Sequence, residues 1–376
     1  MAETKIHRAR NGKIDFLRLL FAFIIVLHHT RYLLGDDHCL FLGGSLSVEF
    51  FFFVSGCLMA ASADRKMKAT GAAGKTSGKT PASAEGLGTE TAHFLKKKLS
   101  AVLADFLTAW IIGFFFVAAA EKLSLRGMAG LFVWDFFELG FLKMSGLYIG
   151  GLDGVVWYVS AMLLSMAVLY PLLRKFPDFF PKIVCPLVCI FIMGFLCRNY
   201  GHPRNPDKWI GFAYKGLLRA LAELCLGVVI YQISRKMQRT QWTRAARVLF
   251  TVFEAAAYLL FIAYMYYYGP TERDFFFIAL LAAAVTLSFA GTGLLSKRFD
   301  GRVSSWCARF STSLYFSHLY YAQHLNQILP QSISAVPRVL VYLAFAFGTA
   351  LFVMYFSDFI RSKKNVMKSW FVKAAA

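Results

Sequence analysis

Ten windows of about 18 to 22 mainly apolar residues recur along this chain, each long enough for a helix to cross the hydrocarbon core of a bilayer. They fall at 14–34, 44–62, 99–120, 155–173, 181–198, 214–233, 247–268, 274–294, 306–326 and 337–360. In lipid every backbone N–H and C=O needs a partner inside the protein, so long apolar windows of this kind restrict the chain to a helical bundle. Composition agrees, since 58% of the 376 residues are hydrophobic and only 16% charged, far from the balance of a soluble domain. The expected fold is all-α, a polytopic transmembrane bundle of about ten helices in a single domain over the whole chain.

The distribution of lysine and arginine orients the bundle. With a cytoplasmic N-terminus, segments 1–13, 63–98, 172–182, 234–247, 295–305 and 361–376 hold 28 of the 41 basic residues. Such a bias supports both termini cytoplasmic and an even number of spans in a multi-pass membrane protein. The formal charge of +20 is spread over these short loops, which fits anionic lipid headgroups and excludes nucleic acid, because no folded domain presents a basic face. The first window is full length and lacks a small-residue cleavage pattern, so it is expected to remain as the first helix. The seven cysteines show neither a disulfide framework nor zinc-ligand spacing, and no metal site is expected.

Between windows, 64–93 is rich in Gly, Ala, Ser, Thr and Lys and reads as a flexible cytoplasmic loop. The outer stretch 121–154 contains MAGLFVWDFFELGFL, with the spacing of an amphipathic segment that either lies in the interface or folds back into the bundle. Another outer loop, RNYGHPRNPDKW from Arg198 to Trp209, collects polar and turn-forming residues.

Polar residues inside the first window point to function. At about 100° per residue, Arg18 and His29 project from one helix face, with Asp15 about 40° away and His28 about 80° off the stripe. Ionisable groups are expensive in a membrane helix and mark functional sites by default. Alternating helix direction puts His29, Glu49, Trp157, Tyr158 and His318 at one depth near the outer face. On the ninth window Ser311 and Tyr315 share a face with His318. Asp15 and Arg18 lie instead toward the cytoplasm, near Lys96, Lys97 and Lys98, where positive charge suits the phosphates of a cytosolic donor. The Phe50–Phe53 run is expected to pack between helices, and Ser55 and Gly56 to permit close helix contact.

These same residues resemble the acyltransferase 3 family of integral membrane O-acyltransferases. Its opening pattern, an aspartate, an arginine three later and a histidine after ten more residues, matches Asp15, Arg18 and His29 in register. VEFFFFVSG from Val48 is similar to its second-helix pattern, with Glu49 where many members carry Asp. GVVWYVSAMLL from Gly154, AELCLGVVIY and STSLYFSH, Ser311 to His318, resemble later helices in family order. One departure precedes the third helix: the family commonly has paired arginines followed by proline, whereas FLKKKLSAVLA has Lys98, Ala101 and Ala104 there.

The resemblance implies transfer of an acyl group, often acetyl, from an acyl-CoA such as acetyl-CoA to a hydroxyl of a carbohydrate or glycolipid acceptor, in a bacterial plasma membrane and with no permanently bound cofactor. Histidine has an unperturbed pKa suited to the base that this chemistry needs. His29 is expected to deprotonate the acceptor or carry the acyl group, with Glu49 orienting it or His318 assisting. Arg18, Asp15, Lys97 and Lys98 are the expected donor-side residues, and Trp157, Tyr158, Ser311 and Tyr315 the expected acceptor pocket. A transporter or flippase for an envelope glycan precursor is the alternative that the same intramembrane charges admit, although no inverted repeats or matching broken spans accompany them.

Overall fold

The computed structural model describes residues 11–374 except 36–37, 78–83, 138–151, 153, 212, 296–297 and 300, with backbone alone at 70–77, 84–85 and 364–374. Every apolar window coincides with helix. In chain order these are α1 (Gly12–His28), a short α2 (Arg31–Leu34), α3 (Ser47–Ser77), α4 (Ala84–Ala120), α5 (Leu125–Phe137) and α6 (Val156–Lys175). They continue as α7 (Cys185–Tyr200), α8 (Lys215–Arg239), α9 (Arg244–Tyr267), α10 (Asp274–Ala290), α11 (Arg302–Ser317), α12 (Leu319–His324) and α13 (Ala335–Ala374). Eight helical segments among the described residues are long and apolar enough to cross a membrane. The 274–294 window yields the 17-residue α10, and the 306–326 window is split at His318 into α11 and α12. The protein is a polytopic helical bundle, interrupted by a minimal antiparallel hairpin that pairs Trp209 with Tyr214 in the loop before α8.

One expectation from composition changes. Residues 64–77 and 84–93, read as a flexible loop, continue α3 and α4 as helix, and 78–83 lie outside the described residues. Alanine and lysine favour helix once a span has nucleated it. Side-chain pairs support the extensions: Lys68 bridges back to Asp64 at 2.9 Å, and Glu90 accepts from Arg174 Nε at 2.6 Å and the Tyr170 hydroxyl at 2.8 Å. The amphipathic stretch after α4 forms α5, whose Val133, Trp134 and Phe136 side chains are exposed. Its Asp135 turns inward to accept from the Trp110 indole and, at 2.9 Å, from the Leu152 N–H.

α3 and α8 pack together at the centre of the bundle, α1 packs against α11, and α11 against α4 and α13. The α3–α8 crossing is set by two glycines. A Cβ on Gly56 would meet the Leu224 carbonyl oxygen at 2.4 Å, and one on Gly227 the Phe53 carbonyl oxygen at 2.6 Å, so the two backbones touch. The two helices run parallel. Glu49, seven residues before Gly56, and Arg219, eight before Gly227, therefore reach the same level. The Phe50–Phe53 run fills the adjoining interior, with Phe50 stacked 4.6 Å from Phe21 and Phe52 4.6 Å from Tyr158.

Alternation along the chain is visible in which helix ends meet. The end of α1, the starts of α3, α6, α8 and α10, and the end of α11 gather at one end, here called the histidine end. The ends of α6 and α8 meet residues 60–67 of α3 at the opposite, basic end.

Candidate active site

A cavity of about 560 Å³ opens at the histidine end. One wall comes from α1 and α2, through Ile25, His28, His29, Arg31 and Tyr32. A second comes from the start of α3 and α6, with Ser45, Val48, Val155 and Trp157. The loop before α8 adds Arg204, Asn205 and Asp207, α8 itself Arg219, and the α11–α12 break Tyr315, Leu319 and Gln323. Arg204 ties the loops together. Its guanidinium holds Asp274 through Nε at 2.8 Å and Nη2 at 2.6 Å, while the Tyr264 hydroxyl donates to the same carboxylate at 2.7 Å.

His29, on the cavity wall, meets the fully buried His318 behind it. His29 Nδ1 lies 3.0 Å from His318 Nε2, and His318 Nδ1 lies 3.1 Å from the Leu314 carbonyl oxygen. The carbonyl can only accept, so Nδ1 of the neutral His318 ring carries its proton and Nε2 offers a lone pair. His29 then donates through Nδ1, which leaves the lone pair on its own Nε2. That nitrogen has no hydrogen-bond partner among the described residues. Tyr32 stacks on the His29 ring at 5.9 Å and restricts its orientation. His28 points elsewhere, donating from Nδ1 to the Phe41 carbonyl at 2.6 Å, although it also borders the cavity.

The second polar cluster is charged. Arg219 Nε donates to Glu49 Oε2 at 2.9 Å and to Glu223 Oε1 at 3.0 Å, and Nη2 also donates to Glu49. All three side chains are at most 1% exposed. The guanidinium carbon lies 5.6 Å from the Trp157 ring, and Arg219 itself lines the cavity. Glu49 is thus turned toward Arg219 and not toward His29, whose orientation comes from His318 and Tyr32.

A sequence pattern described as an acyltransferase domain, that of the acyltransferase 3 family, matches residues 11–358. The chain belongs to the acyltransferase 3 family. No curated protein and no solved structure matches it significantly. As a member of this family it is a membrane acyltransferase, and the match spans every element that lines the cavity.

Within this acyltransferase the sequence-derived residues separate into groups. His29, Trp157 and Tyr315 line the cavity, with His318 held behind His29; the Tyr315 hydroxyl donates to the Val155 carbonyl at 2.8 Å. Tyr158 and Ser311 do not line it. Tyr158 shares a 3.0 Å hydrogen bond with Ser55, and the Ser311 hydroxyl donates to Ala308 of its own helix at 2.9 Å. Asp15 and Arg18 face each other at 4.0 Å on α1, Lys97 is exposed on α4, and Lys98 Nζ lies 5.5 Å from the Phe94 ring. None of these four residues lines the cavity.

Arg219, Glu223, Arg204 and Asp274 were not singled out in the sequence. A signal for the first two was available: opposite charges four residues apart on one face of the 214–233 window, which membrane burial makes as unusual as the α1 stripe. Arg204 and Asp274 lie in or beside loops, where charge is ordinary, so their pairing becomes visible only in three dimensions.

Proposed function

We propose that this acyltransferase moves an acyl group, acetyl in the simplest case, from acyl-CoA to a hydroxyl of a carbohydrate or glycolipid. The observation that carries this reading is His29 Nε2, a base unpartnered among the described residues at a cavity wall, with its other nitrogen fixed by His318. His29 Nε2 removes the acceptor proton as the hydroxyl oxygen attacks the thioester carbonyl. Collapse of the tetrahedral intermediate breaks the C–S bond, and the thiolate takes the proton back from His29, so atoms and charge balance. During the cycle the imidazolium is stabilised through its Nδ1–H on His318, a role in which Glu49 takes no direct part.

The cavity walls suit a sugar. Trp157, Tyr32 and Tyr315 offer aromatic faces, and Asn205, Asp207 and Gln323 offer polar edges that orient hydroxyls. The predominance of lysine and arginine in the segments at the other end supports a cytosolic donor and an acceptor on the outer side, with Arg18 on the donor side of α1.

The test is thioester consumption by the full chain in proteoliposomes, with acetyl-CoA as the donor probe and an envelope glycan extract as acceptor. Acceptor-dependent release of free thiol, with an acetyl mass increment on the glycan, is expected. Movement of unmodified glycan without thiol release would overturn the reading in favour of a transporter.

A further inference from the structure

A second cleft, of about 280 Å³, opens at the basic end between residues 60–67 of α3 and the last turns of α6 and α8. Arg219 and Arg235 border different cavities and stand sixteen residues apart on α8, about 24 Å along its axis, so the two sites are separate. The inner wall of the cleft is apolar, formed by the buried Ala60, Ala63 and Leu173, and the small side chains at 60 and 63 leave the space.

Its rim carries Arg235 and Arg239, one turn apart on one face of α8. Two carboxylates, Asp64 and Asp178, also line the cleft, and each is already engaged. Asp64 accepts from Lys68 and from the Tyr231 hydroxyl, each at 2.9 Å, and Asp178 pairs with Lys182. Arg235 donates at 3.1 Å to Gln238, a neutral side chain, and neither arginine has an ion-pair partner among the described residues. Two guanidinium forks beside an apolar wall match a phosphate attached to something greasy or extended. A cleft of 280 Å³ is below the roughly 300–1,000 Å³ of pockets that enclose a whole small molecule, so it suits the phosphate end alone.

We propose that this cleft binds the phosphate end of an anionic amphiphile, with Arg235 and Arg239 as the clamp. Two sources share this chemistry, the headgroup of an anionic phospholipid and the phosphates of a CoA thioester. The second rests on the function proposed above; the first does not.

Two measurements on the full chain distinguish them. One is equilibrium binding of adenosine 3′,5′-bisphosphate in phosphatidylcholine nanodiscs, and the other is retention of phosphatidylglycerol by native mass spectrometry. The Arg235→Gln/Arg239→Gln variant is compared with Lys236→Gln/Arg244→Gln, which removes the same charge outside the cleft. At least a tenfold loss of one ligand in the cleft variant, with less than a twofold loss in the control, is expected. The ligand affected identifies the source, and Arg235→Lys/Arg239→Lys should recover part of the binding. Equal losses in the two Gln variants, or none in either, would overturn the proposal. Binding that holds while wild-type protein consumes no thioester would refute the proposed function and leave the cleft standing.

Discussion

Two polar clusters wall one cavity and are built on opposite electrostatic terms. The His29–His318 pair is a chain of neutral donors and acceptors that ends on a backbone carbonyl, so each Nδ1–H keeps an acceptor whether or not His29 Nε2 holds a proton. The Glu49–Arg219–Glu223 cluster is fully desolvated, and its members hold one another in place at distances that leave little freedom. Burying charge is tolerated when hydrogen bonds compensate it, and removing one partner exposes the full penalty. The contrast separates a part suited to turnover from a part suited to holding shape.

The comparison can be broken most directly at His29. His29→Ala should reduce acyl transfer by about 10²- to 10⁴-fold, the range expected for loss of a general base, with an unchanged unfolding midpoint in detergent. A large fall in stability with residual turnover would reverse the division of roles. Arg219→Ala should do the opposite first, lowering unfolding free energy by about 3–5 kcal/mol because two buried carboxylates lose their counter-charge. Denaturant unfolding in detergent micelles measures it.

Finer tests compare members within each cluster. His318→Ala should lower turnover by roughly 10- to 100-fold, as loss of an outer-shell orienting partner does, while His318→Gln, which keeps an acceptor for His29, should recover much of it. Glu49 receives two N–H groups of Arg219 and Glu223 one, so Glu49→Gln should destabilise more than Glu223→Gln by about 1–2 kcal/mol. The smallest effect belongs to His28→Ala. It removes one hydrogen bond to Phe41 and should change turnover by less than about tenfold, the equivalent of 1.4 kcal/mol.

The sequence made the bundle legible because membrane burial is a demand on every residue of a span, and ten apolar windows satisfy it. It was least informative where helices outrun their spans: at 64–77 the composition of a linker is also that of a solvated helix, and only attachment to α3 decides between them. In the site, His29 stood out by its position in an apolar run, and His318 by the polar face it shares with Ser311 and Tyr315. Glu49 stood out equally, yet its partner lies 170 residues away on a parallel helix, and sequence spacing cannot report that pairing. The counter-charge of Glu49 lies inside another span, on Arg219.

The contact between Gly56 and Gly227 has a consequence for motion. Main chain rests directly on main chain there, so sliding α3 past α8 by one residue, about 1.5 Å, would drive carbonyl oxygens into the opposing backbone. The two helices therefore move as one stiff post carrying Glu49, Arg219 and Glu223 together. Breathing of the cavity that admits an acceptor then falls to the other wall, where α1 packs against α11. On that account the charged cluster, with Trp157 against Arg219, is the fixed reference against which His29 shifts, and the spacing between base and substrate is tuned from the histidine side.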